Sequence, residues 1–155
     1  MLTRGGVLLV LLVSGGALLG ADLALPAETS IQGPVTLNLI LTGAGADLAG
    51  FQCDLEFDAD ALEIALAAGP ASTAAGKELV VTAPAGGVRR VLVAGFNTNG
   101  LSDGAVVRIS VQLKTAPARK ATYAIRLRNA VGSTKDGRAV PMQVSDGSLI
   151  AGTGE

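Results

Sequence analysis

The densest set of side chains able to do chemistry is acidic: Asp54, Glu56, Asp58, Asp60 and Glu63 place five carboxylates within ten residues. Such a set could give oxygens to a calcium ion, which takes about six to eight, or form the carboxylate pair of a glycoside hydrolase. The spacing argues for a blander role. Asp54 and Glu56 alternate with Phe51, Cys53, Leu55 and Phe57 and so take the solvent side of one strand, while Asp58 and Asp60 suit the side-chain hydrogen bonds that close a corner. No sugar-stacking groups flank them, and neither a metal, a cofactor nor catalysis is expected. The chain has no His, which removes Ser-His-Asp and Cys-His nucleophile systems and His-bound zinc. Its one thiol, Cys53, excludes an internal disulfide and every cysteine-cluster metal site, and its inward position predicts a buried core residue.

Phe51, Phe57, Phe96 and Tyr123 are the only aromatic residues, too few for a base-stacking platform and a core together. With 12 basic and 13 acidic residues there is no excess of cations for a phosphate backbone, so nucleic acid is not an expected partner. Arg108, Lys114, Arg126 and Arg128 fall on outward strand positions, where charge keeps a sheet soluble. The segment Phe96-Asn97-Thr98-Asn99-Gly100 sets polar turn residues beside one aromatic, a composition suited to recognition as well as to simple turn chemistry.

The elements that must carry these residues are strands. Val35, Leu37, Leu39 and Leu41 share one face, and Gly43 to Asp47 reads as a turn. Residues 51–57 form a second alternating run, followed by a short strand at Leu62-Glu63-Ile64. Ala65 to Gly76 is weakly patterned and reads as a long loop or poorly specified edge. Lys77 to Ala83 and Val88 to Phe96 form a hairpin broken at Pro84-Ala85-Gly86-Gly87. The clearest strand puts Ala105, Val107, Ile109, Val111 and Leu113 inward, and a later one alternates Tyr123, Ile125 and Leu127 with Arg126 and Arg128. Lys135 to Arg138 is a turn, and two short strands, Val140 to Val144 and Ser148 to Ala151, close the chain. The count is about eight or nine strands without a convincing amphipathic helix, hence an all-β, two-sheet antiparallel sandwich.

Ahead of it, Met1 to Gly20 has one cation, Arg4, and an apolar run interrupted by Ser14-Gly15-Gly16, the pattern of a cleavable secretion signal rather than a membrane span. Cleavage is expected after Gly20 or Ala21, leaving 11 basic and 13 acidic residues, and only an uncleaved signal would engage a membrane. The expected organisation is a signal over 1–21, a short lead over 22–28, one sandwich over 29–151 and a tail over 152–155.

Four stretches then carry a resemblance. Phe51 to Ile64 is similar to an alternating strand that runs through a Tyr-Asp-Pro corner into a Leu-Glu-Val strand, with Phe57 and Ala59 in place of the Tyr and the Pro. Val91 to Gly95 with Ser102-Asp103-Gly104 leading into Val107 to Lys114, then Tyr123 to Leu127, then Lys135-Asp136-Gly137 and Asp146-Gly147-Ser148-Leu149, follow in order. From Thr29 to Ala151 this order resembles the cohesin domain, the module with which scaffoldins capture dockerins. The resemblance implies a nine-stranded jelly-roll sandwich, non-catalytic, secreted, with a dockerin-like protein partner on one flat sheet face in a polysaccharide-degrading setting. It also implies that Gln52, Asp54 and Glu56 lie on that face, beside the strand and loop that hold Phe96, Asn97 and Asn99. A carbohydrate-binding module on the same fold, weakened by the absence of Trp, and a structural or adhesive sandwich without a dedicated ligand are the alternatives.

Overall fold

The alternation of apolar and polar residues commits most of the chain to strands, and a computed structural model describes residues 20–152 in these terms. The expected signal lies outside the described residues except for Gly20 and Ala21, as do residues 153–155 of the tail. The strands are β1 (Ala21–Ala24), β2 (Glu28–Ile31), β3 (Val35–Thr42), β4 (Leu48–Glu56), β5 (Leu62–Ala68), β6 (Glu78–Ala85), β7 (Val88–Ala94), β8 (Gly104–Leu113), β9 (Ala121–Thr134), β10 (Ala139–Ser145) and β11 (Gly147–Ala151). A single helical turn, α1 (Pro70–Ala74), joins β5 to β6.

The strands form two layers, β5-β8-β3-β1-β10 and β6-β7-β4-β9-β11-β2, connected where β9 pairs with β10. Leu23, Leu39, Leu41 and Ile109 of the first layer and Phe51, Leu55, Val91, Val93, Ile125 and Leu127 of the second are buried in one core. Fully burying an aliphatic or Phe side chain of this kind contributes about 1.5–3 kcal/mol. The expected two-sheet sandwich is the observed architecture, with eleven strands among the described residues instead of eight or nine. Two of its pairings, β1 with β10 and β2 with β11, are parallel.

Several local expectations are corrected. Part of the residues read as a lead form β1, which is inserted between β3 and β10 with Leu23 fully buried. Its apolar pattern merges with the hydrophobic run ahead of it, so the sequence hides its start. Of the two readings of the stretch after Ile64, the edge holds and the loop does not: β5, the outermost strand of its layer, continues to Ala68 along β8, and α1 follows. Pro70 opens that turn and Gly76, at φ +72°, closes it, with Lys77 N–H donating to Ser72 O (2.9 Å) and Gly76 N–H to Thr73 O (3.0 Å). This is a Schellman closure, and the proline-first, glycine-last asymmetry was its sequence signal. The helix docks where β8 departs from alternation. Leu39 pairs with Val107 but Ile40 with Ala105, so Val106 bulges inward, and its carbonyl accepts from Gly69 N–H (2.9 Å) and the buried Ser72 hydroxyl (2.8 Å). The hairpin break shrinks to Gly86-Gly87 because β6 lies at a sheet edge, where Pro84 removes no ladder bond.

Cys53 is fully buried, and burial, with the neighbouring Asp54 charge adding to it, pushes its thiol from 9.0 up to about 12. Between those values the unfolded chain has lost a proton that the folded chain retains, so this residue's contribution to stability falls as pH rises, by about 1.4 kcal/mol per pH unit. Denaturant titrations of the native chain and Cys53→Val at several pH values from 8 to 12 should show the steeper fall in the native chain, and an aromatic disulfide reagent should label Cys53 only after unfolding. Equal slopes, or labelling of the folded protein, would contradict the buried thiol.

Candidate functional site

The face with the most unspent chemistry is the outer surface of β6-β7-β4-β9. Antiparallel register stacks its outward residues into rows across the strands. Val80 lies opposite Leu92, Leu92 opposite Gln52, and Gln52 opposite Val131. Val80, Leu92 and Val131 are 49%, 38% and 39% exposed, so an aliphatic row crosses four strands with one amide in it. Ala94, Gly50 and Ser133 beside it keep side chains short and leave a depression of about 310 Å³ along Gln52, Leu92 and Val131.

The next row is polar: Thr82, Arg90, Asp54 and Arg128. Asp54 is on the outer side of β4, as expected, but it is buried rather than solvated. Arg90 covers it with two bonds, Nε to Oδ1 at 2.7 Å and an NH2 group to Oδ2 at 2.9 Å, and Asn129 Nδ2 donates to Oδ2 at 3.0 Å. The Arg90 hydrogen bonds hold the Asp54 carboxyl below its ordinary 3.8 against the opposing effect of burial, with Asn129 assisting. Glu56, half-buried, lies opposite Arg126. A cleft of about 450 Å³ at this end is framed by Glu56, Asp58, Tyr123 and Arg126, with Phe57 capped by Arg89 5.1 Å from its ring centre.

At the opposite end stands the loop after β7. Phe96 is fully exposed. Asn97 and Asn99, expected to recognise a partner, are exposed and secure the loop to α1. Asn97 Nδ2 donates to Ala75 O and Gly76 O, both at 3.3 Å, and Asn99 Nδ2 to Ala75 O at 3.1 Å. Asn99 N–H in turn donates to Asn97 Oδ1 (3.0 Å). These bonds serve the carbonyls that the end of a helix leaves without partners. Lys77 completes the clamp: it is 5% exposed, and its ammonium donates to Asn97 Oδ1 (2.7 Å) and Asn97 O (3.1 Å).

The structure thus brings Gln52, Asp54 and Glu56 onto one face and puts Phe96, Asn97 and Asn99 at its end. It uses Asp54, Asn97 and Asn99 for internal bonds. Val80, Leu92 and Val131 were not legible as a group, because they lie on three separate strands whose register alone makes them neighbours. Of the acidic group, Asp58 closes the corner by accepting from Asp60 N–H (3.0 Å), so Asp60 takes part through its backbone. Among the described residues no three His, Cys, Asp or Glu side chains converge. Phe51 and Phe57 are buried and Tyr123 is half-buried, so these residues present no aromatic strip for sugar stacking.

No family model matches the chain, and no curated protein matches its sequence. Solved structures do resemble it. A non-cellulosomal cohesin from the archaeon Archaeoglobus fulgidus superposes with TM-score 0.69 at 14% identity, covering 86% of this chain and 91% of that one. The sixth cohesin of Acetivibrio cellulolyticus scaffoldin B, solved in complex with a mutant Cel5 dockerin, gives 0.72 at 18% identity over 84% and 97%. A type I cohesin from Clostridium thermocellum, in complex with a dockerin, gives 0.72 at 15% identity over 85% and 93%. The chain has the cohesin fold.

Replacing Asp54 with Asn tests the polar row. Asp54 contributes stability that is present above the unfolded carboxyl's 3.8 and is lost as pH falls through the lower folded value. Asp54→Asn should cost about 1–2 kcal/mol at neutral pH, the lower part of the range for unpaired buried groups, because Arg90 can return to water. The gap to the native chain should close as pH drops below 3.8. A pH-independent gap in urea titrations would refute the ion pair as its cause.

Proposed function

We propose that this chain is a secreted binding module, not an enzyme, and that it docks a helical, dockerin-type protein on the β6-β7-β4-β9 face. The observation that carries the reading is the exposed aliphatic row of Val80, Leu92 and Val131 on an otherwise polar sheet. Apolar side chains gathered in one place and rimmed by charge are the composition of an interface centre. Phe96, held out by a loop that Asn97 and Asn99 pin in place, supplies a preorganised anchor at the rim. The cohesin fold adds support, since two structural neighbours are solved with dockerins bound. An extracellular assembly that degrades polysaccharides is the setting this reading implies.

Export rests on the sequence of residues 1–20, and the fold favours one of the two expected cleavage sites. Ala21 is buried and pairs with Met142 in β1, so a cut after Gly20 keeps the strand whole. Sequencing the N-terminus of protein secreted by a host cell should read Ala21 first. A mature protein that keeps Met1 to Gly20 would refute export by a cleavable signal.

Calorimetric titration against a dockerin panel, with the Acetivibrio and Clostridium dockerins named above included, tests the face. Binding should be micromolar or tighter for at least one member, and Leu92→Asp or Val131→Asp should weaken it by about 100-fold or more while leaving the far-ultraviolet dichroism unchanged. Ser110→Asp, exposed on the other sheet, should have no effect. Absence of binding across the panel, or sensitivity to Ser110→Asp alone, would overturn the reading.

A further inference from the structure

The end of the face nearest Phe96 holds a charge that no carboxylate among the described residues pairs with. Lys77 is 95% withdrawn from solvent, yet the groups that meet its ammonium are the carbonyl and amide oxygen of Asn97, both neutral. Gly95 permits this placement, since a Cβ there would come within 3.3 Å of the lysine Cδ and 2.9 Å of Gly76 O. An ammonium has three protons to donate, and two are used. A notch of about 260 Å³ opens beside it, lined by Lys77, Lys135, Asn97, Ser133 and Thr134 with no carboxylate among its walls. Burial and the nearby Lys135 charge both push the Lys77 pKa down, the sign of a cation short of negative charge.

The acids on neighbouring segments lie outside the notch: Glu78, next in sequence, is exposed on β6 and is not among its walls. Asp136 is bound to Thr134 and lies 3.4 Å from Arg138, and Asp47 lines a separate hollow beside Ala21 and Gly43. Keeping a cation buried without an opposite charge is costly, and a site that receives one on binding recovers that cost. The notch is also continuous with the aliphatic row, because Gly50, Ala94 and Ser133 border both.

We propose that the notch between Lys77 and Lys135 is a carboxylate subsite that receives an Asp or Glu side chain of the protein docked on the β6-β7-β4-β9 face. The inference rests on the docking role of that face and adds a charge requirement to it: a partner must carry an acidic residue just beyond its apolar contact. Lys77, fixed by Asn97, gives the subsite its direction, and Lys135, exposed on the β9–β10 turn, closes over the bound group.

Two measurements test it. In the first, propionate, the end of a glutamate side chain, is titrated into the protein while the lysine Cε and Nζ resonances are followed, with chloride at matched ionic strength as control. Lys77 and Lys135 should respond saturably in the millimolar range to propionate and not to chloride, and Lys135→Gln, a surface change, should abolish the response at Lys77. Identical responses to the two anions would overturn the subsite. In the second, Lys135→Gln and Lys77→Met should each weaken the dockerin-type partner by about tenfold and flatten the dependence of affinity on salt. Lys77→Met retains the buried stem, and unchanged dichroism certifies its fold. If Leu92→Asp abolishes partner binding while Lys135→Gln leaves it intact, the subsite falls and the docking face stands. If propionate binds but Leu92→Asp has no effect on the partner, the assignment of the docking face falls instead.

Discussion

The outer face of this sandwich depends on one residue out of step. Strict alternation along β9 from Ile125 and Leu127, both buried, would carry Asn129 and Val131 inward as well. Asn129 instead adopts φ +55°, and the pairing jumps so that Gln52 meets Val131 while Asp54 meets Arg128. The extra residue moves Ala130 and Gly132 to the core side and turns Val131 out. Asn is one of the few side chains that tolerates the left-handed region, and here its amide also binds the Asp54 carboxylate. Glycine could make the same bulge but not the same bond. The shift that exposes Val131 and the bond that satisfies Asp54 therefore come from a single conformational choice.

This explains which features were legible in the sequence. The alternation in β3, in β4 from Phe51 to Leu55 and in the second half of β8 is uninterrupted, and there the inward and outward residues follow from the period alone. Cys53 and Phe51 were placed in the core for the same reason. Where a bulge interrupts the period, at Val106 and at Asn129, the pattern breaks and the strand reads as shorter or simpler than it is. Both bulges are held by groups distant in sequence, Ser72 and Gly69 for the first and Asp54 for the second. No local window contains them. The aliphatic row is a stronger case: Val80, Leu92 and Val131 each look like an ordinary exposed valine or leucine, and only the register of four strands makes them a surface.

The polar residues of the face divide by role. Asp54, Asn97 and Asn99 have the composition of a recognition surface; Asp54 is buried under its bonds to Arg90 and Asn129, while Asn97 and Asn99, both exposed, hold the Phe96 loop to α1. Arg90 and Asn129 fix the level of the polar row beside the aliphatic one, and the Asn97 clamp holds Phe96 and Lys77 where a partner would meet them. Gln52, half-buried between Leu92 and Val131, is the one expected contact residue that keeps an uncommitted amide at the centre of the face.

The fold also bears on how a partner would lie. Pro84 carries no backbone donor for a strand added at the β6 edge, whereas the face offers the aliphatic row. From Val80 on β6 to Val131 on β9 the row crosses three interstrand gaps of about 4.8 Å each, a total near 14 Å. An α-helix repeats a side-chain position about every 5.4 Å, so one laid across the strands meets the row once per turn for nearly three turns. A helix laid along the strands would have only one or two aliphatic side chains beneath it and would run into the Arg90–Asp54 row. On the docking reading the crossed orientation follows, and it places one end of the helix over Leu92 and Val80 and the other over β9.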